Sequence, residues 1–213
     1  GVVPPVRDDL ITFNSLVNGP VALSNSVPPA SMFVNGNTAG TSSFNAGAYS
    51  GGDGALFFPQ DVYGNEFSFN SPFSIELFFK THGDKSAAGR MQLVMQGEGA
   101  FRYGIVLNDA IPGSVKFIVT NQTSMQAVAA LTNANYADGG WRYLLAIYDT
   151  LASTNGQMRL TIVNTNGVET TAVTEVSAGF GALAASNDGN LFLGRFKYPI
   201  AQEHRTFLGL IDE

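Results

Sequence analysis

The stretch DGGWRYLLAIYD, residues 138–149, decides the fold of this chain together with MRLTIV, residues 158–163. The first run is rich in aromatic, β-branched and aliphatic residues, opens on a Gly-Gly pair and closes on Asp149. The residues between the two runs are mostly loop formers such as Ser, Thr, Asn and Gly. Two apolar segments of strand length joined by such a loop predict an antiparallel hairpin.

The rest of the chain repeats this pattern of short strands and turns. In residues 73–80, Phe73, Ile75, Leu77 and Phe79 stand at every second position, which is the period of a half-buried strand. Further strands are predicted over residues 10–13, 55–58, 90–96, 101–107, 115–120, 125–131, 169–176, 190–194 and 207–211. The segment 124–134 could instead turn as a helix, although we favour a strand. The predicted class is all-β, with two antiparallel sheets packed as a β-sandwich of the jelly-roll type.

Length and composition agree with one all-β domain over residues 1–213, since sandwiches of roughly 200 to 250 residues are common. Hydrophobic residues make up 45% of the chain, which is enough for a sizeable core. Residues 1–53 are rich in Asn, Ser, Gly and Pro, with Phe33 and Phe44 among them. We expect an N-terminal strand and long loops packed on the sandwich there, a flexible linker being the alternative.

Charge and composition exclude several function classes. The net charge of −6 offers no basic patch for nucleic acid or an anionic membrane, and the absence of cysteine excludes disulfides and thiolate chemistry. No apolar stretch reaches the roughly 18 residues of a transmembrane helix. The chain starts at Gly1 without Met or a signal peptide, so we expect a processed or engineered N-terminus from which any export signal has been removed. Abundant Asn, Thr and Gly without Cys suits a bacterial exported protein, although a cytosolic chain could also lack Cys.

Several of these segments resemble, in order, the strands of a known family. FSIELFFK (73–80) is similar to the FTIEAWVK strand of laminin-G-like (LamG-like) jelly rolls in the concanavalin A-like lectin/glucanase superfamily. DGGW (138–141) resembles the DGxWH turn of that family, and LFLG (191–194) with FLGLIDE (207–213) resembles its closing LxIG…FxGxIDEV. The resemblance covers about residues 54–213 and implies a concanavalin A-like sandwich.

The sequence departs from the family at two places. Arg142 replaces the His that usually follows the Trp, and Asn164-Thr165-Asn166-Gly167 replaces a simple Asp-Gly turn. The chain stops at Glu213, where a family member would run its last strand. We expect that strand to be truncated, disordered or supplied otherwise.

The resemblance to glucanases does not extend to their catalytic motif. Those enzymes carry Glu-x-Asp-x-x-Glu on one strand, which places a nucleophile and a general acid on one face. No Glu in this chain is followed by Asp two residues later. We expect the two histidines, His82 and His204, to be ordinary surface residues. A glycoside hydrolase is therefore only the third hypothesis.

The resemblance also implies a structural calcium ion. In this superfamily such an ion often involves the carboxylate of the closing IDE, which is Asp212 here, and we expect Asp9 as its companion. Asp8, Asp53 and Asp61 are further possible ligands, because calcium prefers about six to eight oxygen atoms from flexible loops. The alternative is that Asp212 caps a turn and the other carboxylates are solvated.

Carbohydrate recognition would use aromatic faces for sugar C–H surfaces and polar groups for hydroxyls. The predicted ligand-binding residues are Phe78, Tyr103, Tyr148 and Glu76. Trp141 and Tyr198 are further aromatic candidates, although for Trp141 we favour a place in the core. Phe78 is the most informative, because it shares the polar face of its strand. The predicted inward-facing residues of the sandwich are Phe57, Phe73, Ile75, Leu77, Phe79, Trp141 and Phe192.

Two functions of different classes follow from these observations. The first is a noncatalytic, extracellular, lectin-like module that binds a glycan or another cell-surface partner. The alternative is a structural or adhesive LamG-like module of a larger surface or secreted protein. This architecture hosts lectins, hydrolases and spacers alike, so the fold does not choose between them.

Overall fold

The computed structural model describes residues 68–69, 72–97, 101–184, 190–194, 207, 209 and 211 with their side chains. For residues 19–21, 32–34, 43–44, 56–58, 210 and 212 it describes the backbone alone. These residues contain strands and turns but no helix, as the sequence predicts.

The first sheet has six strands in the order β12-β11-β10-β5-β14-β3. All of its neighbouring strands pair antiparallel. Its strands are β3 (Ser43–Phe44), β5 (Phe73–Thr81), β10 (Arg142–Asp149), β11 (Gln157–Asn164), β12 (Glu169–Glu175) and β14 (Gly209–Asp212).

The second sheet also has six antiparallel strands, in the order β4-β13-β6-β7-β8-β9. Its strands are β4 (Leu56–Phe58), β6 (Met91–Gln96), β7 (Tyr103–Leu107), β8 (Val115–Thr120), β9 (Gln126–Leu131) and β13 (Leu191–Leu193). A separate pair is formed by β1 (Gly19–Val21) and β2 (Met32–Val34). The segment that offered a helical alternative is β9, a strand.

The predicted central hairpin is confirmed as the β10–β11 pair. Its register runs from Arg142↔Asn164 to Asp149↔Gln157 without a break. Burial alternates strictly along β10, so one set of side chains faces the second sheet and the other set faces outward. This alternation fixes the two faces of the whole first sheet.

The core lies between the two sheets and is built from the inward residues of both. Leu144 and Leu160 of the first sheet and Ile105 and Phe117 of the second are each fully buried in one continuous cluster. Burying a side chain of this kind contributes about 1.5–3 kcal/mol. The predicted inward residues Phe73, Ile75, Leu77 and Phe79 belong to this cluster or pack against it.

Two of the predicted inward residues lie elsewhere. Trp141 is half-buried and immediately precedes β10, where the alternation assigns the inward side to Arg142 and Leu144 instead. Phe192 is buried, but Leu191 and Leu193 on either side of it take the core positions. Its side chain therefore lies on the opposite face of the second sheet. The side chain of Phe57 is outside the described residues.

Candidate binding face

The solvent-facing side of the first sheet carries the polar and aromatic residues that the sequence singles out. On β5 these are Ser74, Glu76, Phe78 and Lys80, which alternate with the core residues. Their partners on β10 are Ile147 opposite Ser74, Leu145 opposite Glu76 and Tyr143 opposite Phe78. We call the residues on this side of β5, β10, β11 and β12 the outer face.

An aromatic pair forms the centre of the outer face. The rings of Phe78 and Tyr143 are tilted by 57° with their centroids 5.3 Å apart, a favourable arrangement of two π-systems. Phe78 is 8% exposed, whereas Tyr143 is only half-buried. Of the two rings, Tyr143 therefore offers more surface to a ligand.

The outer face continues across β11 and β12. Val163 lies opposite Tyr143, and Thr161 lies opposite Leu145 and bonds to Thr171 with 2.8 Å between the hydroxyl oxygens. At the edge strand, Val173 is 51% exposed. The result is a band of apolar side chains across four strands, partly exposed on β10, β11 and β12. Thr161, Thr171 and Arg159 separate Val173 from the other apolar residues.

Charged side chains border this band. Glu76 and Arg159 are exposed, Lys80 is half-buried, and Glu169 is exposed on β12. Carboxylates accept hydrogen bonds, whereas Lys and Arg groups donate them. The border can therefore both accept hydrogen bonds from the hydroxyls of a ligand and donate to them. An apolar band with such a border suits a ligand that has both C–H surfaces and hydroxyls.

The structure places the predicted ligand-binding residues Tyr103 and Tyr148 away from the outer face. Tyr103 is 1% exposed and Tyr148 3%, and both belong to the core between the sheets. Their ring centroids lie 5.0 and 5.8 Å from that of Phe73. Burial raises the pKa of both phenols. Neither ring lies on the outer face, because both residues belong to the inward side of their strands.

Sequence reasoning missed Tyr143 and Leu145 as members of the outer face. They have the same alternation as the rest of β10, so the local pattern could have assigned them to one side. Their juxtaposition with Phe78 and Glu76 depends on the pairing of β10 with a strand more than sixty positions earlier in the chain. That register is not encoded in any local motif.

The turn before β10 explains the departure at Arg142. Its guanidinium Nη2 lies 2.6 Å from Asp138 Oδ2, and Nη1 donates to the carbonyl oxygen of Trp141 at 2.9 Å. Arg142 is 7% exposed. The Arg therefore forms an ion pair that holds the DGGW turn against the start of the strand.

The predicted metal ligands lie outside the side chains that the structure describes. Asp9, Asp8, Asp53 and Asp61 lie outside the described residues, and so does the side chain of Asp212 on β14. Within the described part of the chain, no group of three or more His, Cys, Asp or Glu could hold a metal ion. Nor do these residues include a helix long and apolar enough to cross a membrane.

His82 is exposed, as expected for a surface histidine. Partial burial, and then the charges of Lys85 and Lys80, lower the pKa of its imidazole. His204 and Tyr198 lie outside the described residues.

A laminin G profile described as concanavalin A-like lectin/glucanases superfamily matches residues 51–213. The chain belongs to this superfamily. The resemblance of the closing strands and of residues 73–80 is thereby confirmed. No curated protein sequence matches the chain.

Solved structures of low sequence identity share the fold of this superfamily member. The LG1-3 region of the laminin α2 chain has a TM-score of 0.52 and 14% identity over 74% of this chain. The binding domain of botulinum neurotoxin DC in complex with SialylT has a TM-score of 0.55 and 14% identity over 96% of this chain. The same domain in complex with rat synaptotagmin II has a TM-score of 0.53 and 15% identity over 87% of this chain. The chain spans 28%, 45% and 43% of those three chains. At such identities the likeness shows the fold alone.

Proposed function

We propose that this chain is a noncatalytic carbohydrate-binding module and that the glycan lies on the outer face. The observation that carries the proposal is the band of apolar side chains around Tyr143, bordered by Glu76, Lys80 and Arg159. A sugar ring presents C–H surfaces that pack on such side chains and hydroxyls that bond to the charged border.

The structural relatives support a binding role. The binding domain of botulinum neurotoxin DC, which has the same fold, forms complexes with SialylT and with rat synaptotagmin II. The location that we propose is extracellular or at the cell surface, in a bacterium, because the chain belongs to a lectin-containing superfamily and its composition suits an exported protein.

The surroundings of Glu76 support a role without catalysis. Retaining hydrolysis needs two carboxyl groups about 5–5.5 Å apart. The neighbours of Glu76 on the outer side of β5 are Ser74 and Phe78, and Leu145 lies opposite it on β10. Together with the missing Glu-x-Asp-x-x-Glu motif, these neighbours favour Glu76 as a hydrogen-bonding group.

A glycan array tests the proposal, with the wild-type chain and three variants. Tyr143→Ala and Glu76→Gln should each reduce binding to the recognised sugar class by about tenfold or more, while both variants remain folded, which thermal unfolding checks. Leu151→Ala is the matched control, because Leu151 is 84% exposed in the loop between β10 and β11, outside the outer face. Equal loss of binding in the control, or undiminished binding in both test variants, would contradict the proposed site.

The alternative function is a structural or adhesive module with a protein partner. The exposure of Val173 on the edge strand β12 favours it, since an apolar residue on an open strand suits a protein contact. A glycan array without any positive sugar class would contradict the carbohydrate proposal and favour this alternative.

The proposal includes a structural calcium ion, with Asp212 and Asp9 as ligands. Carboxylate oxygens are ligands that calcium prefers, and backbone carbonyls would complete the set. When bound, the ion would hold the segments together and neutralise their negative charge. The melting temperature should rise with calcium, fall with EDTA and become insensitive to both in Asp212→Asn. Equal melting temperatures of the wild type in calcium and EDTA would exclude such an ion.

A further inference from the structure

The strand β12 is the outermost strand of the first sheet and pairs with β11 alone. None of its seven side chains is buried. Ala172 faces the core but stays half-buried, whereas Leu160, its partner on β11, is fully buried. Solvent therefore reaches β12 from the side away from β11, where no strand lies among the residues that the structure describes.

Hydrogen bonds at the two ends of the β11–β12 pair identify the free main-chain groups of this strand. The N–H of Val176 donates to the carbonyl oxygen of Gly156, and the N–H of Asn164 to that of Val168, each at 3.0 Å. Both pairs join even-numbered residues, and in an antiparallel ladder every second pair is hydrogen-bonded. The odd-numbered residues of β12 therefore direct their N–H and C=O groups away from β11. These residues, which we call the β12 edge, are Glu169, Thr171, Val173 and Glu175.

The side chains of the β12 edge are exposed on the outer face. Glu169 and Glu175 stand at its two ends, and the uncharged Thr171 and Val173 lie between them. Val173 is 51% exposed. The Oε1 atom of Glu169 accepts a hydrogen bond from the Thr171 hydroxyl at 3.1 Å, but no salt bridge of the described residues includes either carboxylate. The β12 edge thus combines free main-chain groups with a negative charge at each end.

These charges favour a basic partner over a second copy of this chain. Two β12 strands paired about Ala172 would place Glu169 of one copy opposite Glu175 of the other, and like charges directly opposite each other destabilise a sheet. The net charge of −6 adds to this repulsion. A strand with Lys or Arg at the two matching positions would instead be attracted at both ends.

We propose that the β12 edge accepts an extended basic segment of a partner protein as an additional antiparallel strand. Main-chain hydrogen bonds to the edge supply the affinity. Lys or Arg residues opposite Glu169 and Glu175, with an uncharged residue opposite Val173, supply the selectivity. This site does not depend on the glycan-binding role, and it gives the alternative function with a protein partner a defined surface.

A fluorescein-labelled peptide, Ser-Lys-Thr-Val-Val-Thr-Thr-Lys-Ser, tests the β12 edge by fluorescence anisotropy with the full chain. In the antiparallel register its first Lys lies opposite Glu175 and its second Lys opposite Glu169. We expect saturable one-to-one binding and slower amide hydrogen exchange at Thr171 and Val173, whose N–H groups the peptide would cover. Absence of saturable binding, or unchanged exchange at these two amides, would overturn the proposal.

N-methylation of the peptide tests strand pairing directly. The first Val and the second Thr of the peptide lie opposite Val173 and Thr171, so their N–H groups face the β12 edge. Methylation of these two nitrogens should weaken binding by at least about tenfold. Methylation of the second Val and the third Thr is the matched control, because those N–H groups point away and their loss should be tolerated. Equal effects of the two methylated pairs would contradict strand pairing.

A substitution at Val173 tests the same contact from the side of the protein. Val173→Pro removes an N–H that does not bond to β11, and proline is tolerated on an edge strand where the missing donor faces solvent. The variant should remain folded, as thermal unfolding checks, and bind the peptide at least about tenfold more weakly. Val173→Thr keeps both the N–H and a β-branched side chain and should bind as the wild type does. Equal peptide binding by the two folded variants would reject the β12 edge as the site.

Replacement of both Lys residues of the peptide by Gln tests the charge pattern. The wild type should prefer the Lys peptide by about fivefold at low salt, because two pairs of opposite charges are formed. The double variant Glu169→Gln/Glu175→Gln should bind the two peptides equally. A preference for Lys that persists in this variant would reject the assigned register.

Sedimentation of the chain without peptide tests the second copy as the occupant. We expect a monomer, because self-pairing brings like charges together. A dimer that dissociates in Val173→Pro but not in Val173→Thr would show that the β12 edge binds another copy, and it would overturn the basic partner.

Discussion

The ring of Phe78 packs on the ring of Tyr143 across the β5–β10 pair, with 5.3 Å between their centroids. Phe78 lies on the outer face yet is only 8% exposed, so its neighbours cover most of its surface. The ring of Phe78 therefore holds the ring of Tyr143 in place from the adjacent strand. The sequence pattern correctly assigned Phe78 to the polar side of β5, but the ring with more exposed surface is that of Tyr143.

Replacement of Phe78 should therefore affect stability as well as binding. Phe78→Ala removes a nearly buried ring and should lower the free energy of unfolding by about 3 kcal/mol, whereas Phe78→Leu should cost less than about 1.5 kcal/mol. Urea unfolding followed by fluorescence measures both values. Wild-type stability of Phe78→Ala would mean that the ring makes no stabilising contact on the outer face.

The core position of Tyr148 makes a different prediction from the one based on sequence. Tyr148→Ala should lower the free energy of unfolding by about 3–5 kcal/mol, because it leaves a cavity beside Phe73. Tyr148→Phe keeps the ring and should stay within about 1 kcal/mol of the wild type. Chemical unfolding of the two variants checks this. A stable Tyr148→Ala variant that has lost glycan binding would instead restore the original prediction.

Gly139 tests the turn that precedes β10. Its φ is +90°, and an added Cβ would lie 2.8 Å from the Cα of Gly83. Its N–H donates to Thr81 Oγ1 at 3.0 Å. A residue with a Cβ in the left-handed conformation costs roughly 1–2 kcal/mol. Gly139→Ala should lower the free energy of unfolding by more than this, because the backbone at Gly83 must also move.

Gly167→Ala is the matched control for this turn. Its φ is +76°, but no atom lies within 4 Å of the added Cβ, so only the conformational cost of about 1–2 kcal/mol applies. Thermal unfolding of both variants gives the comparison. Equal destabilisation of the two variants would show that the contact with Gly83 adds nothing to the cost of Gly139→Ala.

Local patterns predicted the strands but not the partners of their side chains. The two-residue period of residues 73–80 and the loop before residue 157 are properties of neighbouring residues, so both could be recognised directly. The burial of Tyr103 depends on Phe69 and Phe73, which lie some thirty positions away. Whether Tyr103 is exposed or buried depends on how the two sheets pack, and the local alternation of apolar and polar residues does not show this.

The side chain of Asn121 should be a strong determinant of the loop between β8 and β9. Its Nδ2 donates to the carbonyl oxygen of Phe180 at 2.6 Å, and its Oδ1 accepts from the N–H groups of Thr123 and Met125 at 3.0 and 2.7 Å. Asn121 is 2% exposed. Asn121→Ala leaves buried groups unsatisfied and should cost at least about 2 kcal/mol of unfolding free energy.

Asn164 provides the comparison for Asn121. Its Oδ1 accepts from the N–H groups of Asn166 and Val168 at 2.9 and 3.0 Å, but in an exposed turn. Water can replace these bonds, so Asn164→Ala should cost less than about 1 kcal/mol. Urea titrations of both variants measure the two changes in the free energy of unfolding. A smaller cost at Asn121 than at Asn164 would contradict its role as the anchor of the loop.

The lowered pKa of His82 predicts a loss of stability below neutral pH. Burial, and then the charges of Lys85 and Lys80, disfavour the imidazolium in the folded state relative to its ordinary pKa of 6.5. The unfolded chain therefore takes up this proton at a higher pH than the folded protein. The full stability is present above about pH 6.5, and it falls as the pH decreases toward the folded pKa. His82→Gln should reduce the difference in unfolding free energy between pH 7.5 and pH 5.5, as measured by urea titration at each pH. If the variant keeps the whole wild-type difference, His82 does not cause it.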